Sequence, residues 1–254
     1  TCRCQRHPHL LCKTGCNSSQ WPINLRLDKY ISNATDLSRS VVKKLIKAEQ
    51  VAIDDQTAIS GAQKITPEQI ISIEGSPIMS PGKRYFMMNK PQGVVSANKD
   101  KFNPTALSLI YEHRSDQLQI AGRLDIDSTG LLLITDDGHW NHRLTSPQSD
   151  CKKTYAVELL NPVTENYAKK LRAGIVLQGE KRRCLPATMK VISTHNIHLT
   201  ISEGKYHQVK RMMEALGNQV TNLHRFQIGD IVLDPLLEPG DYRPLSDAEV
   251  ASIQ

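Results

Sequence analysis

Long apolar runs are missing from this chain. Nothing in its 254 residues approaches the ~20 consecutive apolar positions that a membrane-spanning helix needs, and 39% hydrophobic with 23% charged content is too ordinary for a disordered protein. The chain is therefore expected to be neither membrane-embedded nor unfolded. Cysteine is scarce after Cys16: Cys151 and Cys184 stand alone, too few for a disulfide framework, which points to a reduced, cytoplasmic setting. No histidine-rich ligand set accompanies the acids of the body, which disfavours a metal hydrolase. No apolar core of the signal-peptide kind leads the chain.

What is present begins with Cys2, Cys4, Cys12 and Cys16, close to His7 and His9. These are zinc-ligand types, but their spacing fits no standard finger, so residues 1–23 are expected to be a disordered, tag-like extension without metal. A length of 254 residues predicts one small and one large domain. The formal net charge of +6 and a pI near 9.0 mildly favour a polyanionic partner, because Lys and Arg supply the salt-dependent part of nucleic-acid affinity.

Residues 24–80 pattern as a small basic module. Leu25, Leu27, Tyr30 and Ile31 form an apolar stripe that predicts a short helix, broken over Asp36 to Ser38. Ser38 is placed to cap a second helix over about 39–48, with Val41, Val42, Leu45, Ile46 and Glu49 on one side. The other side carries Arg39, Lys43 and Lys47 at i, i+4 and i+8, joined by Lys44, with no acid among them. Val51 to Ile53, Ile59, Ile65 and Ile70 to Ile73 are strand candidates around an Asp54-Asp55 turn. The segments Arg26-Leu-Asp-Lys29, Ser38-Arg39, Leu45-Ile46 and Val51-Ala-Ile-Asp54 resemble an S4 RNA-binding domain. That resemblance implies Lys29, Arg39, Lys43, Lys44 and Lys47 as RNA-facing cations. The sequence departs from it at Glu49-Gln50-Val51, where Gly is usual before Val, and the departure bears on how the helix ends. Gly75 to Gly82 is rich in turn residues and reads as an interdomain linker.

In the larger region, 81–254, Arg84 to Met88 predicts a strand and Asn89-Lys-Pro-Gln-Gly93 a turn, with Lys90 as a turn cation. Leu107 to Glu112 reads as a short helix. The stretch Ala121-Gly-Arg-Leu-Asp-Ile-Asp-Ser-Thr-Gly130 then sets Arg123, Asp125 and Asp127 beside the apolar run Leu131 to Ile134. Acids next to a core strand either face solvent or sit in a site with a cation, because unpaired burial is costly. Asp136-Asp137-Gly138 is an ordinary turn before a helix at Trp140. Lys152 to Leu160 alternates as a strand with Tyr155 and Val157 on one face, and Glu165 to Ala173 reads as a helix ended by Gly174. Strands at Lys190 to Ile192 and Ile197 to Ile201 lead to a glycine turn and a helix that carries Lys210 and Arg211 near its start, where cations want an anion.

Gly122-Arg-Leu-Asp125 with Ser128-Thr-Gly-Leu-Leu, Asn89-Lys-Pro-Gln-Gly93, Lys153-Thr-Tyr155 and Gly204-Lys-Tyr-His-Gln-Val-Lys-Arg-Met212 closely resemble the motifs of pseudouridine synthases of the ribosomal small-subunit type. The match runs in the expected order from about Leu25 to the C-terminus, and it is nearest the enzymes acting on 16S rRNA. The resemblance implies an α+β fold, with an S4-like domain followed by a catalytic domain built on a mixed, mainly antiparallel sheet flanked by helices. It implies Asp125 as the essential aspartate, Lys210 as its basic partner with Arg211 as fallback, and Tyr155 packed on the uracil. Arg123 is then the residue that fills the place of a flipped-out base, Ile201 a pocket wall, and Asp127 a structural acid. No cofactor or metal is implied; the partner is ribosomal RNA, free or in a pre-assembled particle, and the enzyme is expected to be a cytoplasmic monomer. Alternatives are a large-subunit 23S rRNA enzyme, a non-catalytic S4-type assembly factor, or an Asp125–Asp127 pair of glycosidase or metal-hydrolase type.

Overall fold

A computed structural model of the chain describes residues 25–35, 37–66, 68–79, 82–112, 114–146 and 149–253. The cysteine-rich leading segment with its zinc-ligand types, and Asp36, lie outside them. The chain divides into two units between Gly82 and Lys83.

In the first unit β1 (Leu25–Arg26) leads into α1 (Leu27–Ala34), and α2 (Arg39–Lys47) follows. Ser38 caps α2, its Oγ accepting from the Val41 N–H at 3.4 Å. α2 ends at Glu49, which takes φ 61°, the left-handed conformation that glycine normally supplies there. The missing glycine does not abolish the ending: Glu49 and Gln50 N–H still donate to the carbonyls of Ile46 and Leu45, at 3.1 and 3.0 Å. The chain continues through β2 (Val51–Ile53), β3 (Gln56–Thr57), β4 (Lys64–Ile65), β5 (Ile71–Ile73) and β6 (Ser76–Ile78). A four-stranded antiparallel sheet runs β3-β2-β5-β6, and β4 pairs with β1. Leu27, Ile31, Val42, Ile46, Val51 and Ile65 close the core. Three expectations change. Ser76 to Ile78, read as linker, is a strand, and Pro77 is tolerated there because β6 is an edge. Ile59 is 91% exposed and belongs to no strand, and Val41 also faces outward.

The second unit is built on β7 (Tyr85–Lys90), β8 (Gln119–Ala121), β9 (Thr129–Thr135), α3 (Gly138–Thr145), β10 (Lys153–Leu159), α4 (Asn166–Arg172), β11 (Thr188–Val191), β12 (Asn196–Ile201), α5 (Gln208–Ala215), β13 (Val220–Ile228), β14 (Ile231–Val232), β15 (Tyr242–Pro244) and α6 (Asp247–Ala251). The sheet runs β11-β12-β10-β13-β9-β7-β15, with β14 on β13 and β8 on β9. Among the described residues every pairing in it is antiparallel except β13 with β9, which meet in parallel at His224↔Thr129 and Arg225↔Gly130. This is the α+β architecture anticipated, a mixed and mainly antiparallel sheet with helices around it. The apolar run of β9 does not alternate because both faces are covered: Leu131 and Leu133 pack with Met87, Trp140 and Ile228, and Leu132 and Ile134 with Phe86, Met88 and Leu118. Each such side chain contributes about 1.5–3 kcal/mol. Asp137 caps α3 by accepting from His139 and Trp140 N–H, and Asp136 pairs with Arg84 at 2.8 Å, so the two acids are structural. Leu107 to Glu112 is no helix; a single 3-10 turn over Ala106–Leu109 takes its place. No helix among the described residues is long and apolar enough to cross a membrane.

Candidate active site

The loop from Gly122 to Ser128 joins β8 to β9, and four groups hold it. Gly122 takes φ 84°, a turn that only glycine makes without strain. Arg225, 1% exposed, reaches across from β13: its Nη2 donates to the Gly122 carbonyl at 2.7 Å, Nη1 to that of Arg123 at 3.3 Å and Nε to that of Leu131 at 2.9 Å. Ser96 Oγ accepts from Leu124 N–H at 3.1 Å. Lys90 lies under the far end, its Nζ donating to the carbonyls of Pro91 (2.9 Å), Ser128 (2.8 Å) and, at 3.4 Å, Ile126. Gly130 completes the geometry, since a Cβ there would collide with the Arg225 carbonyl where β9 meets β13.

Lys90 is therefore not a turn cation. β7 continues through Asn89 and Lys90, whose side chain is wholly buried among carbonyl oxygens. Burial pushes its ammonium down to about 8, against the opposing pull of Asp127 and Asp125.

The loop presents Asp125, 28% exposed at its side chain, to a cleft of about 930 Å³ that Tyr155, Ile201, Lys210 and Arg225 also line. α5 supplies the cation: Lys210 Nζ stands 3.4 Å from Asp125 Oδ2 and donates to both carboxylate oxygens of Asp127, at 2.6 and 2.8 Å. That hydrogen bond holds Asp127 below the usual carboxylate range. Asp127, expected to be a structural acid, thus holds the lysine that faces Asp125. A second group is new. His207 Nε2 lies 3.5 Å from Asp125 Oδ1. Tyr155 and Ile201, from β10 and β12, are buried in the cleft wall, and the Arg225 guanidinium carbon sits 5.9 Å from the Tyr155 ring centroid. Arg123 is exposed at the rim.

Arg211 does not join them. Its guanidinium donates to the carbonyls of Gln178 (2.7 Å) and Tyr206 (3.1 Å) and faces Glu180, so it does not serve as a fallback partner for Asp125. In the first unit Lys29, Arg39, Lys43, Lys44 and Lys47 are all exposed, and a shallow hollow there is lined by Lys43, Lys47 and Ile59. Arg26 differs, locked onto the buried Asp28 at 2.7 Å. Among the described residues no three His, Cys, Asp or Glu side chains converge to hold a metal ion.

The cleft thus offers an ionisable carboxylate, two cationic or proton-handling groups against it, and an aromatic ring in an apolar wall. Comparison with known proteins shows the family of the chain. The RNA pseudouridylate synthase family matches residues 84–215, which contain Asp125, Tyr155 and Lys210. The ribosomal small subunit pseudouridine synthase A of Vibrio cholerae is 51% identical over 90% of this chain and 99% of its own length, and that of Escherichia coli is 46% identical over 90% and 100%. A solved pseudouridylate synthase structure superposes with a TM-score of 0.66 at 47% identity, covering 91% of this chain and all of the other. The chain belongs to the RNA pseudouridylate synthase family, within its ribosomal small-subunit group, and is an enzyme of that class.

Proposed function

We propose that this protein converts one uridine of small-subunit ribosomal RNA to pseudouridine, and that Asp125 is the carboxylate that reacts. One observation carries the reading: Asp125 stands in a cleft 3.4 Å from the Lys210 ammonium, with the Tyr155 ring in the same wall. In the isomerisation the bond from ribose C1′ to base N1 breaks, the base turns while held, and a C1′–C5 bond forms; C5 gives up its proton and N1 takes one up, so no atom is gained or lost. Whether the carboxylate attacks the nucleoside or takes a ribose proton, it must be ionised, and Lys210 supplies the countercharge. Tyr155 offers a stacking face to a base flipped out of its helix, and the exposed Arg123 enters the place it leaves. The basic face of α2, S4-like in its motifs, grips folded RNA through phosphates and shape. The small-subunit assignment is supported by the names of the Vibrio and Escherichia relatives. We place the enzyme in the cytoplasm as a monomer that works without cofactor.

The test is to map pseudouridine in ribosomal RNA from cells with and without this protein, and to repeat the assay with Asp125→Asn. One small-subunit pseudouridine should disappear in both. A missing large-subunit site would redirect the substrate, and wild-type turnover by the Asn variant would remove Asp125 from its role.

A further inference from the structure

Tyr206 and His207, between β12 and α5, are not used by the isomerisation as described, yet they are built with care. Tyr206 lies on the rim of the cleft and is 76% exposed. Its ring stacks on that of His207 with centroids 3.8 Å apart and planes 17° from parallel. One face of the tyrosine is therefore covered and the other open. His207 sits in the left-handed region at φ 45° and ψ 38°, uncommon for a residue other than Gly although His is among the types that adopt it more readily. Its side chain caps no N–H of α5. This backbone sets the imidazole between the Tyr206 ring and Asp125, with Nε2 at 3.5 Å from Oδ1. Arg211 braces the same turn by donating to the Tyr206 carbonyl at 3.1 Å and to that of Gln178 at 2.7 Å. An exposed aromatic fixed in advance in this way loses little freedom on binding.

We propose that the Tyr206–His207 stack is a platform on which a nucleobase flanking the target uridine stacks while that uridine occupies the cleft. The proposal rests on the RNA substrate of the preceding section. A flat ring with one open face accepts any base, so the platform positions the strand without reading its sequence.

The test compares wild type, Tyr206→Ala, Tyr206→Phe and Tyr206→Trp, as the full chain, on an in vitro transcript of the small-subunit ribosomal RNA. Loss of one stacked base is worth about ten-fold or more in affinity. The Ala variant should therefore raise KM and the dissociation constant about ten-fold, while its single-turnover rate at saturation stays within about two-fold of wild type. Phe and Trp should keep wild-type values, and all four melting temperatures should agree because the side chain is exposed. An Ala variant with unchanged KM overturns the platform. So does a Phe variant as weak as Ala, which would assign the effect to the hydroxyl, or a loss confined to rate. Wild-type turnover on the same transcript reads the proposed activity separately: if wild type makes no pseudouridine that reading fails, and the dissociation constants of the four proteins still decide whether Tyr206 stacks on RNA.

Discussion

Lys210 binds Asp127 more closely than it binds Asp125. Its Nζ is 2.6 and 2.8 Å from the two oxygens of Asp127 and 3.4 Å from the nearer oxygen of Asp125. The lysine is thus tethered by one carboxylate and shared with another. A tether of this kind leaves Asp125 facing the cleft with a cation beside it but without a full hydrogen bond from that cation.

Replacing Asp127 by Asn should free Lys210 to collapse onto Asp125. A hydrogen bond to a charged group is worth roughly 1.5–3 kcal/mol, so single-turnover rates should fall about ten-fold or more, yet stay above those of Asp125→Asn. An unchanged rate would return Asp127 to a role in its loop alone. Because Lys210 lowers the Asp127 pKa, the tether is fully present above the ordinary carboxylate pKa and is lost only as pH falls through the lowered value.

Lys90 should give activity an alkaline limit near its lowered pKa of about 8. A neutral amine has two N–H groups for the three carbonyls of Pro91, Ile126 and Ser128, so the loop that carries Asp125 loosens. Stability moves the other way. Between about 8 and the unperturbed 10.5 the folded chain has released a proton that the unfolded chain keeps, so this residue's contribution to stability rises with pH. Turnover and thermal unfolding measured across pH 7 to 10, roughly the range set by that shift, should therefore diverge. A decline in activity that tracked unfolding would remove Lys90 as its cause.

Arg225→Met leaves the carbonyls of Gly122, Arg123 and Leu131 without their donor. Each buried acceptor left unpaired costs roughly 1–3 kcal/mol, so stability should drop by several kcal/mol in denaturant titration. Arg225→Lys keeps the charge but loses the planar fork, and should fall between wild type and Met in both stability and turnover. Equal melting temperatures in all three would show that the loop is held elsewhere.

Lys43→Ala with Lys44→Ala should weaken RNA binding and flatten its salt dependence by about 0.7–0.9 in log–log slope for each phosphate that the variant no longer neutralises. Turnover at saturating RNA should survive, since both side chains lie in the first unit and line no part of the cleft. Loss of saturated turnover would mean that binding and chemistry are not divided between the units.

Local rules made part of the site legible, since acids beside a core strand and cations at a helix start both ask for a partner; the choice of Asp125 and Lys210 among them came from the resemblance. Other features were not legible. The signals Asn89, Pro91 and Gly93 suggest a turn, and nothing in a pattern of apolar positions reveals that β7 runs on to bury Lys90. Arg225 sits in a strand that pairs with β9 at only two positions, and its loop partners are distant in sequence. Lys210 and Arg211 differ by one position, about 100° of helix rotation, and the observed packing turns Lys210 to Asp125 and Arg211 to the Gln178 and Tyr206 carbonyls. His207 lies within the quoted Gly204 to Met212 motif, but the pattern does not show that a left-handed backbone at this residue turns its ring toward Asp125.

The groups around Asp125 come from positions far apart in the chain, and synthesis therefore delivers them in order. Gly122, whose carbonyl Arg225 holds, is synthesised 103 residues before it, and the Lys210 that tethers to Asp127 comes 83 residues after that acid. A ribosome making this chain delivers the basic face of α2 first, then Lys90 and Ser96, the carboxylate next, and Lys210 and Arg225 last. A product ended before Lys210 would keep the cations of α2 and lack both the lysine that faces Asp125 and the arginine that holds its loop.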